Sequence, residues 1–89
     1  MKVIISVIGS DKVGILARVS AVCAECNANI LEVSQSVMQE VFAMTMIADI
    51  ANLSVSFDTL ADHMTALGEE MNLSIRVMHE DIFNSMHRV

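Results

Sequence analysis

The spacing of apolar residues changes repeatedly along this chain of 89 residues, and this alternation constrains the fold more than any other feature. A period of two, or a short run of β-branched residues, is typical of a strand, whereas spacings of three and four residues predict an amphipathic helix. Strand patterns occupy residues 2–8, 30–38, 41–50 and 73–79. Helical patterns occupy residues 15–26 and 57–71. The sequence therefore predicts the element order β-α-β-β-α-β.

This order is satisfied by an α+β sandwich, in which right-handed crossovers place two helices on one face of a four-stranded antiparallel sheet. The tail "EDIFNSMHRV" predicts a short C-terminal helix after the last strand. The apolar side of that helix would consist of Ile82, Phe83, Met86 and Val89. No linker-like shift in composition divides the chain, so we expect a single domain over residues 1–89.

Local signals predict where the two longer helices begin and end. Ser10 or Asp11 is expected to cap the first helix, and the asparagines of residues 27–29 are expected to end it, because asparagine tolerates the left-handed conformation. Ser56 is expected to cap the second helix. The second strand is predicted to be half-buried. One of its faces would consist of Leu31, Val33, Gln35 and Val37.

Composition and charge indicate which kinds of partner the chain can bind. The hydrophobic fraction is 54% and the third strand is apolar on both faces, so we expect a homodimer or a higher homo-oligomer that covers apolar surface. The net charge is −6, the five basic residues are scattered, and Trp and Tyr are absent. These features argue against direct binding to nucleic acid or to an anionic membrane surface. Because no apolar run reaches the length of a membrane span, we expect a cytoplasmic protein.

The junction "VIGSDKVGILARVS", residues 7–20, joins the first strand to the first helix. Gly9 and Gly14 are spaced like the glycines of a P-loop, but Ile15 follows where that motif requires lysine. A helix N-terminus with unpaired N–H groups can instead hold a carboxylate, and Asp11 could meet an ammonium group. The alternative is that Asp11 only caps the helix and the glycines only turn the chain.

Other reactive side chains have simpler explanations. Cys23 and Cys26 form a Cys-x-x-Cys, but they lie late in the first helix and on its apolar stripe, so we expect buried core sulfur and not a redox pair. No well-defined metal-ligand spacing fits the polar residues around the tail, namely His79, Glu80, Asp81 and His87. No activated nucleophile and no cofactor fingerprint is visible. We therefore expect no metal, no cofactor and no catalytic residue.

The stretch "GSDKVGILARVSAVCAECNANILEVSQ", residues 9–35, resembles the opening of an ACT domain, and the resemblance continues through the ending "HEDIFNSMHR". The chain is most similar to a stand-alone, single-domain ACT family of bacteria and archaea. Its opening also resembles the ACT segments of formyltetrahydrofolate deformylases and of the glycine-cleavage repressor. The resemblance implies a ferredoxin-like fold and a regulatory role.

In ACT domains an amino acid commonly lies between the first strand–helix loop of one subunit and the second-strand region of another. The resemblance therefore implies a loop side formed by Gly9, Ser10, Asp11, Lys12, Val13, Gly14 and Ile15. It implies that Asn29 and Ile30 supply the opposite wall. Many ACT loops carry a proline where this chain has Val13, which makes the loop less rigid and keeps an N–H group that proline lacks.

Two functions follow from these observations. The first is a regulatory module that binds an amino acid or related small metabolite at a homodimer interface and signals through its assembly or through a separate protein partner. The alternative is a module for protein interaction or dimerisation that has no ligand. An enzyme is the third and weakest interpretation. The sequence names neither the ligand nor the partner, and it leaves dimer and tetramer open.

Overall fold

A computed structural model describes residues 1–86, apart from the side chains of Phe83 and Met86. Its elements, in chain order, are β1 (Lys2–Ser10), α1 (Ile15–Glu25), β2 (Asn29–Met38), β3 (Val41–Asp49), α2 (Phe57–Met71), β4 (Leu73–His79) and α3 (Glu80–Met86). The predicted order and the short C-terminal helix are confirmed. Val89, which was expected on the apolar side of that helix, lies outside the described residues.

The four strands form one antiparallel sheet in the order β2-β3-β1-β4. β1 is central and pairs with β3 on one side and β4 on the other, which explains its nearly continuous β-branched sequence. The outer strands are β2 and β4. This is the predicted ferredoxin-like fold, with α1 and α2 packed on the same face of the sheet.

The core lies between this face of the sheet and the two helices. Alternate residues of β1 and β3 point into it, including Ile5 and Met46, which are both fully buried. The helices contribute residues at three- and four-residue spacing, including Val19 and Leu60. The apolar stripes that predicted the elements therefore meet in a single cluster.

Both cysteines belong to this core, as predicted. Cys23 and Cys26 are each 1% exposed and neither forms a disulfide. Burial raises the pKa of the Cys23 thiol to about 11, and burial also raises the pKa of Cys26. Because thiolate is the reactive form, the two sulfur atoms serve packing and are poor nucleophiles.

The start of α1 differs from the prediction. Its N-cap residue is Gly14, which has φ of 86° and provides no side-chain cap, so the expected cap at Ser10 or Asp11 is wrong. The backbone N–H of Asp11 instead donates to the carbonyl of Glu40 at 2.9 Å, and the chain continues as a loop before the helix begins. A left-handed residue at this cap explains the second glycine.

The other predicted helix ends are confirmed. Asn27 adopts φ of 60° directly after α1, which is the left-handed conformation that asparagine tolerates. Ser56 caps α2, because its hydroxyl accepts a hydrogen bond from the Thr59 N–H at 3.1 Å.

The prediction of a half-buried β2 is wrong, because every residue from 31 to 38 is exposed. β2 is an outer strand, and α1 extends over it only slightly. A register shift between Ile30 and Glu32 also changes which residues share a face. Ile30 pairs with Ala48 on the core side, and beyond the shift Val33 takes that side. Leu31 lies at this register shift and therefore does not belong to the set of β2 residues, such as Val33, on the core side.

Candidate functional site

The loop between β1 and α1 lies at one end of the sheet and is mostly exposed. Asp11, Lys12 and Val13 are exposed, whereas Ile15 at the start of α1 is buried in the core. The loop is held at two points, since Asp11 N–H donates to Glu40 in the β2–β3 turn and the Lys12 ammonium donates to the Met71 carbonyl. The β2–β3 turn and the C-terminal end of α2 therefore fix the position of the loop.

The two glycines of this junction, Gly9 near the end of β1 and Gly14 before α1, have different structural roles. A Cβ at Gly9 would lie 2.5 Å from Leu73 Cδ2 and 3.3 Å from Leu73 Cα, so a side chain at this position would require the Leu73 side chain to shift. A Cβ at Gly14 would meet no atom within 4 Å, and its positive φ is what requires glycine there. The surface over Gly14 is consequently open to solvent and close to the first turn of α1.

The first turn of α1 offers backbone donors. The first hydrogen bond of the helix joins Arg18 N–H to the Gly14 carbonyl at 2.9 Å, so the N–H groups of residues 15–17 precede the helical ladder. No acidic side chain occupies this turn. Together with the positive end of the helix dipole, these groups can bind a carboxylate by donating hydrogen bonds to it.

Asn29 and Ile30 lie at the opposite end of the sheet from the loop. Asn29 pairs with Asp49, which in turn pairs with Lys2 at the start of β1, whereas Gly9 pairs with Phe42. The strand rise places these ends about 25 Å apart. The structure therefore does not bring the two predicted halves of the site together within one chain.

Asn29 lines a polar cavity of about 250 Å³ that sequence reasoning missed. The lining residues of this polar cavity are Ala24, Asn27, Ala28, Asn29, Asp49 and Asn52. The Asn27 amide donates to the Asn52 carbonyl at 2.7 Å, and one oxygen of Asp49 accepts the Ala51 N–H at 2.9 Å. These residues come from the end of α1, the start of β2 and the segment after β3, so only the recurrence of asparagine could have indicated them.

The outer strand β2 and the adjoining hairpin carry an unusual share of exposed apolar side chains. They include Leu31, Val33, Val37, Met38 and Val41, which are 40% to 72% exposed. Among the elements that the structure describes, β2 pairs only with β3, so its other side presents backbone donors and acceptors that no described strand uses. We call the exposed side of β2 together with these five side chains the β2 edge.

The remaining polar residues form no comparable site. Among residues 1–86, no group of three His, Cys, Asp or Glu side chains is arranged to hold a metal ion, and His87 lies outside that range. His79 packs edge-on against Phe57 with ring centroids 4.3 Å apart. Within the part of the chain that the structure describes, no helix is long and apolar enough to cross a membrane.

A ferredoxin-like domain with an exposed strand–helix loop and a free sheet edge has the architecture of regulatory small-ligand-binding modules. The family model for the ACT domain matches residues 2–78, and the chain belongs to the ACT domain family. It is 50% identical over 88 residues to a UPF0237 protein of Methanocaldococcus jannaschii, covering 99% of this chain and 98% of that relative. A UPF0237 protein of Clostridium acetobutylicum is 49% identical over 89 residues, with 100% of both chains covered.

Solved structures show the same fold. An ACT domain protein from Streptococcus pneumoniae has a TM-score of 0.80 at 37% identity, with 93% of each chain covered. A formyltetrahydrofolate deformylase from Pseudomonas syringae has a TM-score of 0.75 at 28% identity, and the match covers 88% of this chain and 27% of the deformylase. A protein assigned as a glycine cleavage system transcriptional repressor matches at 0.69 and 19% identity, over 85% of this chain and 43% of its own, which shows the fold alone. The predicted family resemblance is confirmed.

Proposed function

We propose that the chain is a homodimeric sensor that binds an amino acid or a related small metabolite at the subunit interface. Binding is then reported through assembly or through a separate protein partner. The observation that carries this proposal is the separation of the loop from Asn29 within one chain, combined with an exposed edge on the strand that begins at Asn29. A second copy supplies what one chain lacks.

Pairing of two β2 edges would bring the two halves together. In an antiparallel pair related by a two-fold axis, each strand runs opposite to its copy, so Asn29 of the second copy lies beside the Met38 end of the first. That end continues into the β2–β3 turn, where the Glu40 carbonyl holds Asp11. Three strand spacings of about 4.8 Å separate the end of β1 from the second copy's β2, and the loop covers part of this distance because Asp11 lies against Glu40 in the β2–β3 turn. The loop and the second copy's Asn29 therefore lie at the same corner of the proposed dimer.

The same pairing would cover the apolar surplus of the chain. A two-fold axis perpendicular to the sheet keeps the helices of both copies on one face and extends the sheet to eight strands. Val33 and Val37 lie on the helix side of β2, and Leu16 of α1 is 38% exposed. These side chains gain cover from their copies in the dimer. Removal of such surface from water contributes about 25 cal/mol per Å² to association.

The chemistry at this corner fits an amino acid. The N–H groups of residues 15–17 donate hydrogen bonds to the ligand carboxylate, and the exposed carboxylate of Asp11 accepts hydrogen bonds from the ligand ammonium group. Gly14 lets the ligand approach the backbone, and Val13 adds an N–H group where proline would have none. The Asn29 amide of the second copy provides a donor and an acceptor from the opposite side.

A calorimetric melt of the protein against the twenty amino acids tests this function. We expect one chemical group of amino acids to raise the melting temperature, because a ligand at about 100 times its Kd stabilises the folded state by about 2.7 kcal/mol. Asp11→Ala should abolish that rise. Asp62→Ala, which removes an exposed carboxylate from α2, should retain it.

Two observations favour the alternative of a dimerisation module without a ligand. The absence of a side chain at Gly9 leaves room for Leu73, and the Asp11 N–H is used to hold the β2–β3 turn, so this region has a structural role of its own. A panel in which no amino acid changes the melting temperature at millimolar concentration, with the dimer intact, would support this alternative and contradict the sensor.

A further inference from the structure

The polar cavity at the end of α1 is not needed to hold the backbone groups of an amino acid, yet it adjoins the proposed interface. Its rim includes Asn29, the residue that a second copy would present to the loop. A ligand whose carboxylate and ammonium groups lie on the loop of one copy therefore has its side chain directed towards the polar cavity of the other. This step rests on the proposed function.

We propose that the polar cavity receives the side chain of the ligand and selects amino acids that end in a cationic or amide hydrogen-bond donor, with basic amino acids preferred. The polar groups that line it are the carboxylate of Asp49 and the amides of Asn27, Asn29 and Asn52. These groups form hydrogen bonds with water when the cavity is empty of ligand. An apolar side chain would displace that water and form no hydrogen bonds in its place, so binding of an apolar side chain is disfavoured.

Charge favours a donor over an acceptor in the polar cavity. One oxygen of Asp49 accepts the Ala51 N–H, while its other oxygen has no hydrogen-bond partner among the described residues. The cavity also adjoins the C-terminal end of α1, the negative end of the helix dipole, and no basic side chain lies in the last turn. A ligand ammonium group therefore finds acceptors, whereas a ligand carboxylate meets Asp49.

In the described part of the chain, two cations lie near Asp49 and neither lines the polar cavity. The N-terminal ammonium group is 3.7 Å from one Asp49 oxygen, in an exposed pair of the kind that contributes little. Lys2 is opposite Asp49 on β1, but it lines a separate cavity together with Glu80 and Asp81. Among residues 1–86, no Lys or Arg lines the polar cavity.

The size of the polar cavity suits a long side chain. A volume of about 250 Å³ has room for about eight groups of the size of a water molecule. This is more than the number of groups in a side chain of four methylenes and an ammonium group. Lysine, ornithine and glutamine fit this space. Norleucine has a straight apolar side chain of similar length to that of lysine and lacks the donor, which makes it the matched probe.

The test is a titration calorimetry comparison of L-lysine, L-ornithine, L-glutamine, L-norleucine, L-glutamate and L-alanine on the parent protein. We expect lysine to bind about tenfold more tightly than norleucine, since a hydrogen bond to a charged group is worth about that factor or more. Glutamate should bind most weakly.

Asp49→Asn should bring the affinity for lysine to within about twofold of that for norleucine and leave the affinity for alanine unchanged, because asparagine retains the oxygen that accepts the Ala51 N–H. Asp62→Asn should keep the lysine preference.

The outcomes separate this inference from the proposed function. If norleucine or alanine binds as tightly as lysine, or if Asp49→Asn retains the preference for lysine, the inference is wrong and the sensor function stands. If none of the six amino acids binds while the melt against all twenty identifies another amino acid, the inference is wrong and the sensor function stands; if no amino acid acts in either experiment, both are wrong. Melting of Asp49→Asn without ligand checks that the variant is folded, and a folded variant without selectivity supports the inference.

Discussion

Val33→Lys is expected to dissociate the proposed dimer into monomers of 9.7 kDa, with a dissociation constant raised at least about 100-fold. Val33 is 40% exposed in the middle of β2, so it lies at or next to the two-fold axis when two β2 edges pair along their length. Two lysines would then lie close together across the axis. Their mutual repulsion and the loss of apolar contact both oppose pairing. Analytical ultracentrifugation over a range of concentrations measures the change.

The other outer strand supplies the control for this substitution. Ser74→Lys places the same charge at an exposed position on β4, which is the opposite edge of the sheet. This variant should remain dimeric, and circular dichroism should show both variants folded. If Val33→Lys stays dimeric, or if Ser74→Lys becomes the monomer, the β2 edge is not the interface.

Gly68→Ala is expected to destabilise the protein by about 2 kcal/mol or more, a large part of the 5 to 10 kcal/mol margin of a small domain. Gly68 is buried in α2, and a Cβ there would lie 2.7 Å from the Leu73 carbonyl oxygen and 3.4 Å from Ile75 Cγ1. The carbonyl belongs to β4 backbone, so relief of the clash requires α2 to move away from the sheet. Urea unfolding followed by circular dichroism measures the effect, since the chain has no Trp or Tyr.

Helix propensity alone predicts the opposite sign for this substitution. Replacement of glycine by alanine inside a helix contributes about 1 kcal/mol of stability when nothing obstructs the new methyl group. Ala66→Gly, at an exposed position of the same helix, measures this propensity and should cost about 1 kcal/mol. A Gly68→Ala protein as stable as the parent would show that α2 and β4 do not pack as closely as described.

The sequence correctly predicted the elements that pack one face against the core. β1, β3 and the two longer helices each bury one face or stripe in the core, and that burial is what imposes a period of two or of about 3.6 on their apolar residues. β2 has the same alternation but is exposed on both faces. Periodicity reports which residues share a face. It does not report whether another layer covers that face, and it misses the register shift after Ile30.

The errors at α1 and at the polar cavity come from contacts between distant parts of the chain. Asp11 has a good capping side chain, but its backbone is held by Glu40, and this contact delays the helix until Gly14. The polar cavity brings Asp49 together with asparagines from two other segments, and no local pattern marks such a meeting. The junction at residues 9–15 could be proposed as a site from the sequence because a family motif is local in sequence.

The central claim is that one ligand site is built from Asp11 of one copy and Asn29 of the other, and complementation between two variants tests it most directly. Asp11→Ala and Asn29→Ala are each expected to dimerise and to bind none of the amino acids that stabilise the parent. In an equal mixture, each mixed dimer has one site with both residues intact, so about one site in four should bind again. Titration calorimetry of the two variants alone and after mixing measures this recovery. Mixed dimers that recover no binding, or an Asn29→Ala protein that binds as well as the parent, would contradict a site shared between two copies.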